Sequence, residues 1–192
     1  AYRPLHTVSA IVSVNNRLMW RQAEYGEQRV NEESAYLLNY ALYKVATEGT
    51  AKAIGRTYDN INMAGKTGTT DDYRDSWFAG YDRNNLATVW VGNDENRSTG
   101  LTGSTGALPV FLAYQQLQEP KSLSRRFPNG LGIAHFDPVT GAVVTAGCQG
   151  SMSVPAVLDA LPPAQGCVGQ SGEKAPAKKA KEKSWWERLF GG

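Results

Sequence analysis

Residues 61–94 read INMAGKTGTTDDYRDSWFAGYDRNNLATVWVGND, and the way this stretch folds decides the architecture of the chain. Gly65-Lys66-Thr67 matches the end of a phosphate-binding loop. Such a loop also needs a glycine five positions before Gly65, so that the backbone can curl round a phosphate; Asn60 stands there. After the lysine it needs the N-terminus of a helix, and here TTDDYRD is a polar turn. The phosphate reading fails. What remains is INMAGKTGTT as a strand, followed by SWFAGYD and LATVWVGND, two apolar, aromatic and β-branched runs separated by Arg83-Asn84-Asn85. Three consecutive strands on short turns must pair antiparallel.

The flanks complete the pattern. TVSAIVSV (residues 7–14), the turn residues Asn15-Asn16 and RLMWR predict a β-hairpin. Residues 31–48 predict a helix: Asn31 is the N-cap, Glu32 and Glu33 follow it, and Gly49 ends it. Ala35, Leu38, Leu42, Val45 and Ala46 recur at helical spacing within it. Residues 106–118 predict a second helix, with Pro109 tolerable in its first turn. Hairpin, helix, three strands and helix make an α+β fold, an antiparallel sheet flanked by helices. Residues 119–172 are poorer in helix and strand pattern, with FDPVTGAVV as one hairpin or edge strand. EKAPAKKAKEK (173–183) has the composition of a disordered basic linker, and Ser184 is placed to cap a short amphipathic helix over 184–192.

The 192 residues suffice for one core, and no apolar run approaches the roughly 18 residues of a membrane span. The net charge of +2 is unevenly divided. From Glu173 onward six basic residues meet three acidic ones, which leaves 14 basic and 15 acidic residues in the body. A near-neutral body gives no support for a nucleic-acid partner. Cys148 and Cys167 have 18 residues between them. They suit either one disulfide in an oxidising compartment or two separate thiols in a reducing one. No cysteine or histidine pair, His6 and His135 included, has metal-ligand spacing, and nothing calls for a cofactor.

On a strand, Lys66 points to the face opposite Thr67, and Thr67 and Thr69 share a face. Gly68 lets a substrate backbone approach, so a Lys-Thr-Gly-Thr edge can accept an extended peptide as an added strand. The Thr69 N–H can then serve as half of an oxyanion hole.

AGKTGTT…DSWFAGYD…ATVWVGND resembles the transpeptidase domain of the bifunctional, class A penicillin-binding proteins. RPLHTVSAIVSVNNRLMW resembles that family's hairpin before the signature. AYLLNYALYKVATEGTAKAIG and TGLTGSTGALPVF resemble its two helical segments, and the two-cysteine extension with a Lys-rich tail is similar to the 1B type. The resemblance implies a penicillin-binding/β-lactamase-like fold, with residues 1–118 as the C-terminal half of the transpeptidase domain and 119–172 as an extension. It implies that Lys66 and the Thr69 N–H are catalytic and that Thr67, Gly68, Thr69 and Thr70 bind substrate. The partners it implies are D-Ala-D-Ala stem peptides and β-lactams, on the periplasmic side of the bacterial inner membrane. The reaction it implies is acyl transfer through a serine. Trp77, Phe78 and Trp90 read as core or sheet-face residues.

The family's Ser-x-x-Lys and Ser-x-Asn should precede the signature. Ser171-Gly-Glu-Lys174 follows it, and Ser13-Val14-Asn15 falls at a hairpin turn with no Ser-x-x-Lys before it. With Ala1 opening the chain in place of Met, the expectation is a C-terminal portion of a longer enzyme that carries its serine and a glycosyltransferase upstream. The isolated portion is then inactive. Rival expectations are a carboxypeptidase or β-lactamase, with water as acceptor, and a non-catalytic peptide- or partner-binding module. The basic tail with Trp185, Trp186, Leu189 and Phe190 suits an anionic membrane surface or a cell-wall-synthesis protein.

Overall fold

The structure, a computed structural model, describes residues 3, 6–23 and 25–167. The expected linker at 173–183, the helix at 184–192 and Ser171-Lys174 lie outside the described residues. The hairpin is shorter than its sequence pattern: β1 (Ala10–Val12) pairs antiparallel with β2 (Leu18–Arg21) as a sheet of its own. Asn16 takes the positive φ (57°) that the turn requires.

The first helix, α1 (Glu32–Thr47), starts as its cap predicts. The Asn31 side chain accepts from the Ser34 N–H at 2.8 Å, and Glu32 and Glu33 complement the helix N-terminus. Its end is closed by the Glu48 and Gly49 N–H groups, both donating to the Lys44 carbonyl. A five-residue helix, α2 (Ala53–Thr57), follows and inserts Ile54 into the core. Five residues are too few to show a helical period, which is why the sequence pattern missed it.

The central sheet has the order β3 (Ala64–Thr69), β4 (Ser76–Tyr81), β5 (Leu86–Val91), all antiparallel. Residues 61–63 of the expected strand lie outside it, and Met63 is buried there. Helix α3 (Ala107–Gln116) holds Pro109 in its first turn. One face of the sheet meets α1, α2 and α3 through Val45, Ile54, Met63, Phe78, Leu108 and Phe111. The Phe78 and Phe111 rings meet edge to face, centroids 4.7 Å apart. They fill the slot left by Gly65 and Gly80, which are paired across β3 and β4. A Cβ on Gly65 would lie 2.5 Å from Phe78 Cζ, and one on Gly80 would lie 2.8 Å from Phe111 Cζ.

Residues 119–172 need correction. Their sequence is poorer in helix and strand pattern and offers one hairpin or edge strand, yet β6 (Leu131–Phe136), β7 (Val143–Val144) and β8 (Met152–Val157) form a second antiparallel sheet in the order β7-β6-β8. FDPVTGAVV does make the β6–β7 hairpin, closed by Asp137, whose Oδ1 accepts from the N–H groups of Val139 and Thr140. Strand β8 was hidden by Pro155, which is tolerable because, among the described residues, β8 pairs only with β6. Cys148 and Cys167 are joined by a disulfide, their Cα atoms 5.1 Å apart. No helix among the described residues is long and apolar enough to cross a membrane.

Candidate active site

Strand β3 is an edge: among the described residues only β4 pairs with it. The turn beyond it shows which of its backbone groups are free. The Thr70 N–H donates to the Asp75 carbonyl at 3.1 Å, so the facing residues 70 and 75 form a hydrogen-bonded pair. Antiparallel pairs alternate, and the register Thr69↔Ser76, Gly68↔Trp77, Thr67↔Phe78 then makes residues 69 and 67 non-bonded pairs. The N–H and C=O of Thr67 and Thr69 therefore point away from β4, toward the open edge.

Lys66 lies on the sheet face away from the helices, in register with Ala79 and Thr88, and Trp77 and Trp90 share that face. Its flexible side chain curls over the edge. Nζ donates to the outward Thr67 carbonyl at 3.0 Å and lies 3.5 Å from Thr67 Oγ1. The expected opposition of Lys66 and Thr67 thus holds at Cβ but not at the ammonium, which the four-carbon stem carries round the strand. Trp77 and Trp90 are 42% and 47% exposed, whereas Phe78 is fully buried.

The Thr67 and Thr69 side chains share the other face, and each hydroxyl has one partner from outside the strand. Thr67 Oγ1 lies 2.7 Å from Thr50 Oγ1, in the turn between α1 and α2. Thr69 Oγ1 accepts from the Gly103 N–H at 2.9 Å. Gly68 is packed against the Trp77 side chain; a Cβ there would lie 3.2 Å from Trp77 Cβ. Thr70 is separate: its hydroxyl accepts from the Asp75 N–H and donates to Asp75 Oδ2, which closes the turn. That turn is strained, with Asp72 and Tyr73 both at positive φ, and the Tyr73 carbonyl accepts from the N–H and hydroxyl of Thr99.

Sequence reasoning missed Thr50, Gly103 and Ser76. The Ser76 hydroxyl, fully buried, donates to the Thr102 carbonyl and accepts from the Ala107 N–H, which docks the loop before α3 beside Thr69. Only the run of glycines at 100, 103 and 106 signalled a close approach there. Ser13 stays in the hairpin turn, where its Oγ accepts from the Arg17 N–H at 3.1 Å. A separate cavity of about 320 Å³ lies between α1 and β6–β8, lined by Tyr36, Tyr40, Tyr43, Arg125 and Phe127 among others. None of its lining residues belongs to the β3 edge.

An antiparallel sheet backed by helices, with a Lys-Thr-Gly-Thr edge strand left open, is the architecture of the penicillin-recognising transpeptidases. Residues 1–111 match the family model described as the penicillin binding protein transpeptidase domain, and the chain belongs to that family. Among its relatives, penicillin-binding protein 1B of Vibrio cholerae is 32% identical over 152 residues, covering 79% of this chain and 20% of the relative. Penicillin-binding protein 1B of Escherichia coli is 33% identical over 151 residues, covering 79% of this chain and 17% of the relative. The solved structure of Haemophilus influenzae penicillin-binding protein 1A superposes with a TM-score of 0.71 over 84% of this chain and 30% of that one. At 19% identity that likeness shows the fold. The chain spans about a fifth of the length of the 1B relatives.

Proposed function

We propose that this chain forms the carboxylate-binding and oxyanion wall of a D-Ala-D-Ala transpeptidase, within a bifunctional class A penicillin-binding protein that makes and crosslinks peptidoglycan. The observation that carries the reading is the open β3 edge. It presents the Lys66 ammonium, the outward N–H groups of Thr67 and Thr69, and two threonine hydroxyls in one place. A stem peptide added along that edge hydrogen-bonds the Thr67 and Thr69 main chain. Its terminal carboxylate takes the two hydroxyls, and the scissile carbonyl takes the Thr69 N–H. The Lys66 ammonium leaves the Thr67 carbonyl and lends positive charge near the nucleophile and the bound carboxylate. Gly68 keeps the strand surface low, and Thr70, its hydroxyl held by Asp75, borders the site.

The nucleophilic serine and its base are assigned to sequence upstream of Ala1, as is a glycosyltransferase. Serine attack forms the acyl-enzyme and expels D-Ala, and an amine of a second stem peptide then takes the acyl group. β-Lactams occupy the same wall as substrate mimics. The disulfide suits the periplasmic side of an inner membrane, where thiols are oxidised.

Labelled benzylpenicillin separates the parts of this reading. The longer protein that carries this chain acquires stable label, and Lys66→Ala lowers its acylation rate by about 100-fold or more, on the scale of one electrostatic group in an acyl-transfer site. The 192-residue chain alone acquires none. Labelling of the isolated chain that disappears in Ser13→Ala overturns the assignment of the serine upstream.

A further inference from the structure

Both threonine hydroxyls of the β3 edge are gripped by groups far away in sequence. Thr50 is 17 residues from Thr67, and Gly103 is 34 from Thr69. Each gripping group is itself fixed. Thr50 stands in a turn whose neighbour Ala51 is fully buried, with the Ala51 N–H donating to the Val45 carbonyl and the Lys52 N–H to the Gly49 carbonyl. Gly103 lies flat on the strands. A Cβ on it would lie 2.6 Å from the Trp77 carbonyl oxygen, 2.7 Å from that of Gly68 and 2.8 Å from Thr67 Cβ. Its carbonyl accepts from the Leu108 N–H at 3.0 Å, which ties it to α3.

The hydrogen-bond polarity follows from the donors. The Gly103 N–H can only donate, so Thr69 Oγ1 must accept there, and its own O–H proton is left for another acceptor. Between Thr50 and Thr67 either hydroxyl can donate. A carboxylate in the cleft accepts only, so it selects the arrangement in which Thr50 donates and the Thr67 proton turns outward. Threonine is stiff at χ1, and a hydroxyl anchored in this way loses little freedom when an anion arrives.

We infer that Thr50 and Gly103 are positioning residues for the carboxylate site: they hold Thr67 and Thr69 as a preorganised pair of O–H donors. They thereby set the selectivity for substrates with a free terminal carboxylate. This rests on the transpeptidase reading above.

The test compares acylation of the longer protein by benzylpenicillin and by benzylpenicillin methyl ester, which lacks the anion. Thr50→Val keeps the shape and removes the hydroxyl. It should lower the benzylpenicillin rate constant by up to about 10-fold, the upper end of the scale for one neutral hydrogen bond, and leave the ester within about 2-fold. Thr50→Ser should restore the parent ratio of the two rates. Gly103→Ala, forced off the strands, should shift the ratio in the same direction as Thr50→Val. An equal fall for both ligands in Thr50→Val, or no fall for benzylpenicillin, overturns the inference while leaving the transpeptidase reading intact. Absence of any acylation in the parent protein defeats that reading and the inference with it.

Discussion

At the scale of the residue, the chemistry of the β3 edge is one of donors left over after the sheet is paired. Asp82 shows the complementary case, an anion fully supplied with donors away from the cleft. It is 4% exposed, its Oδ1 accepts from the N–H groups of Asn84 and Asn85, and its Oδ2 accepts from that of Lys121. Burial works to raise its pKa, but the backbone N–H groups of Lys121, Asn85 and Asn84 outweigh it and hold the carboxyl below its ordinary value of 3.8. With the folded value depressed, the stability Asp82 contributes is present above the ordinary value and is lost as pH falls through the lower, folded one. Asp82→Asn sets an amide N–H₂ against backbone donors. It should lower unfolding stability by about 2 kcal/mol at neutral pH, and by progressively less below pH 3.8, in urea melts across pH.

At the scale of the element, β3 and β4 are shaped by what they lack. Gly65 and Gly80 face each other and make room for Phe78 and Phe111, so the sheet and α3 close on a ring contact. Gly80→Ala should destabilise the chain by roughly 1–3 kcal/mol through overpacking, measured as a lower midpoint of thermal unfolding, although alanine is no worse a strand former than glycine. Neither glycine was marked by the sequence pattern, because the rings that need the space come from β4 and from α3 and meet there only in the fold. Helix α1 was legible almost to the residue, because its cap, first-turn acids and apolar spacing are all local. Strand β8 and helix α2 were not. One carries a proline in an edge strand, and the other is shorter than two helical turns.

At the scale of the molecule, the second sheet and the disulfide tie the C-terminal part together. The Cys148–Cys167 bond closes a loop of 19 residues in separation, and Gln165 within it bridges to Val144. Replacing both cysteines by serine should lower stability by about 3 kcal/mol on the chain-entropy model. The readout is a shift of the urea midpoint under oxidising conditions, with no shift for the same variant between oxidising and reducing buffers.

The sequence by itself determined the antiparallel order of β3–β5 between its helices and the Lys-Thr-Gly-Thr strand at its edge, because strand alternation, short turns and helix caps act between neighbours; the family rested on the resemblance of the whole set of motifs, not on the edge alone. Only the tertiary structure decided which hydroxyls are held and by what. The partners of Thr67 and Thr69 come from a helix turn and a glycine loop 17 and 34 residues away. A hydrogen bond across that distance leaves no period in the sequence; it exists once Ser76 and the buried aromatic core have docked those segments beside the strand.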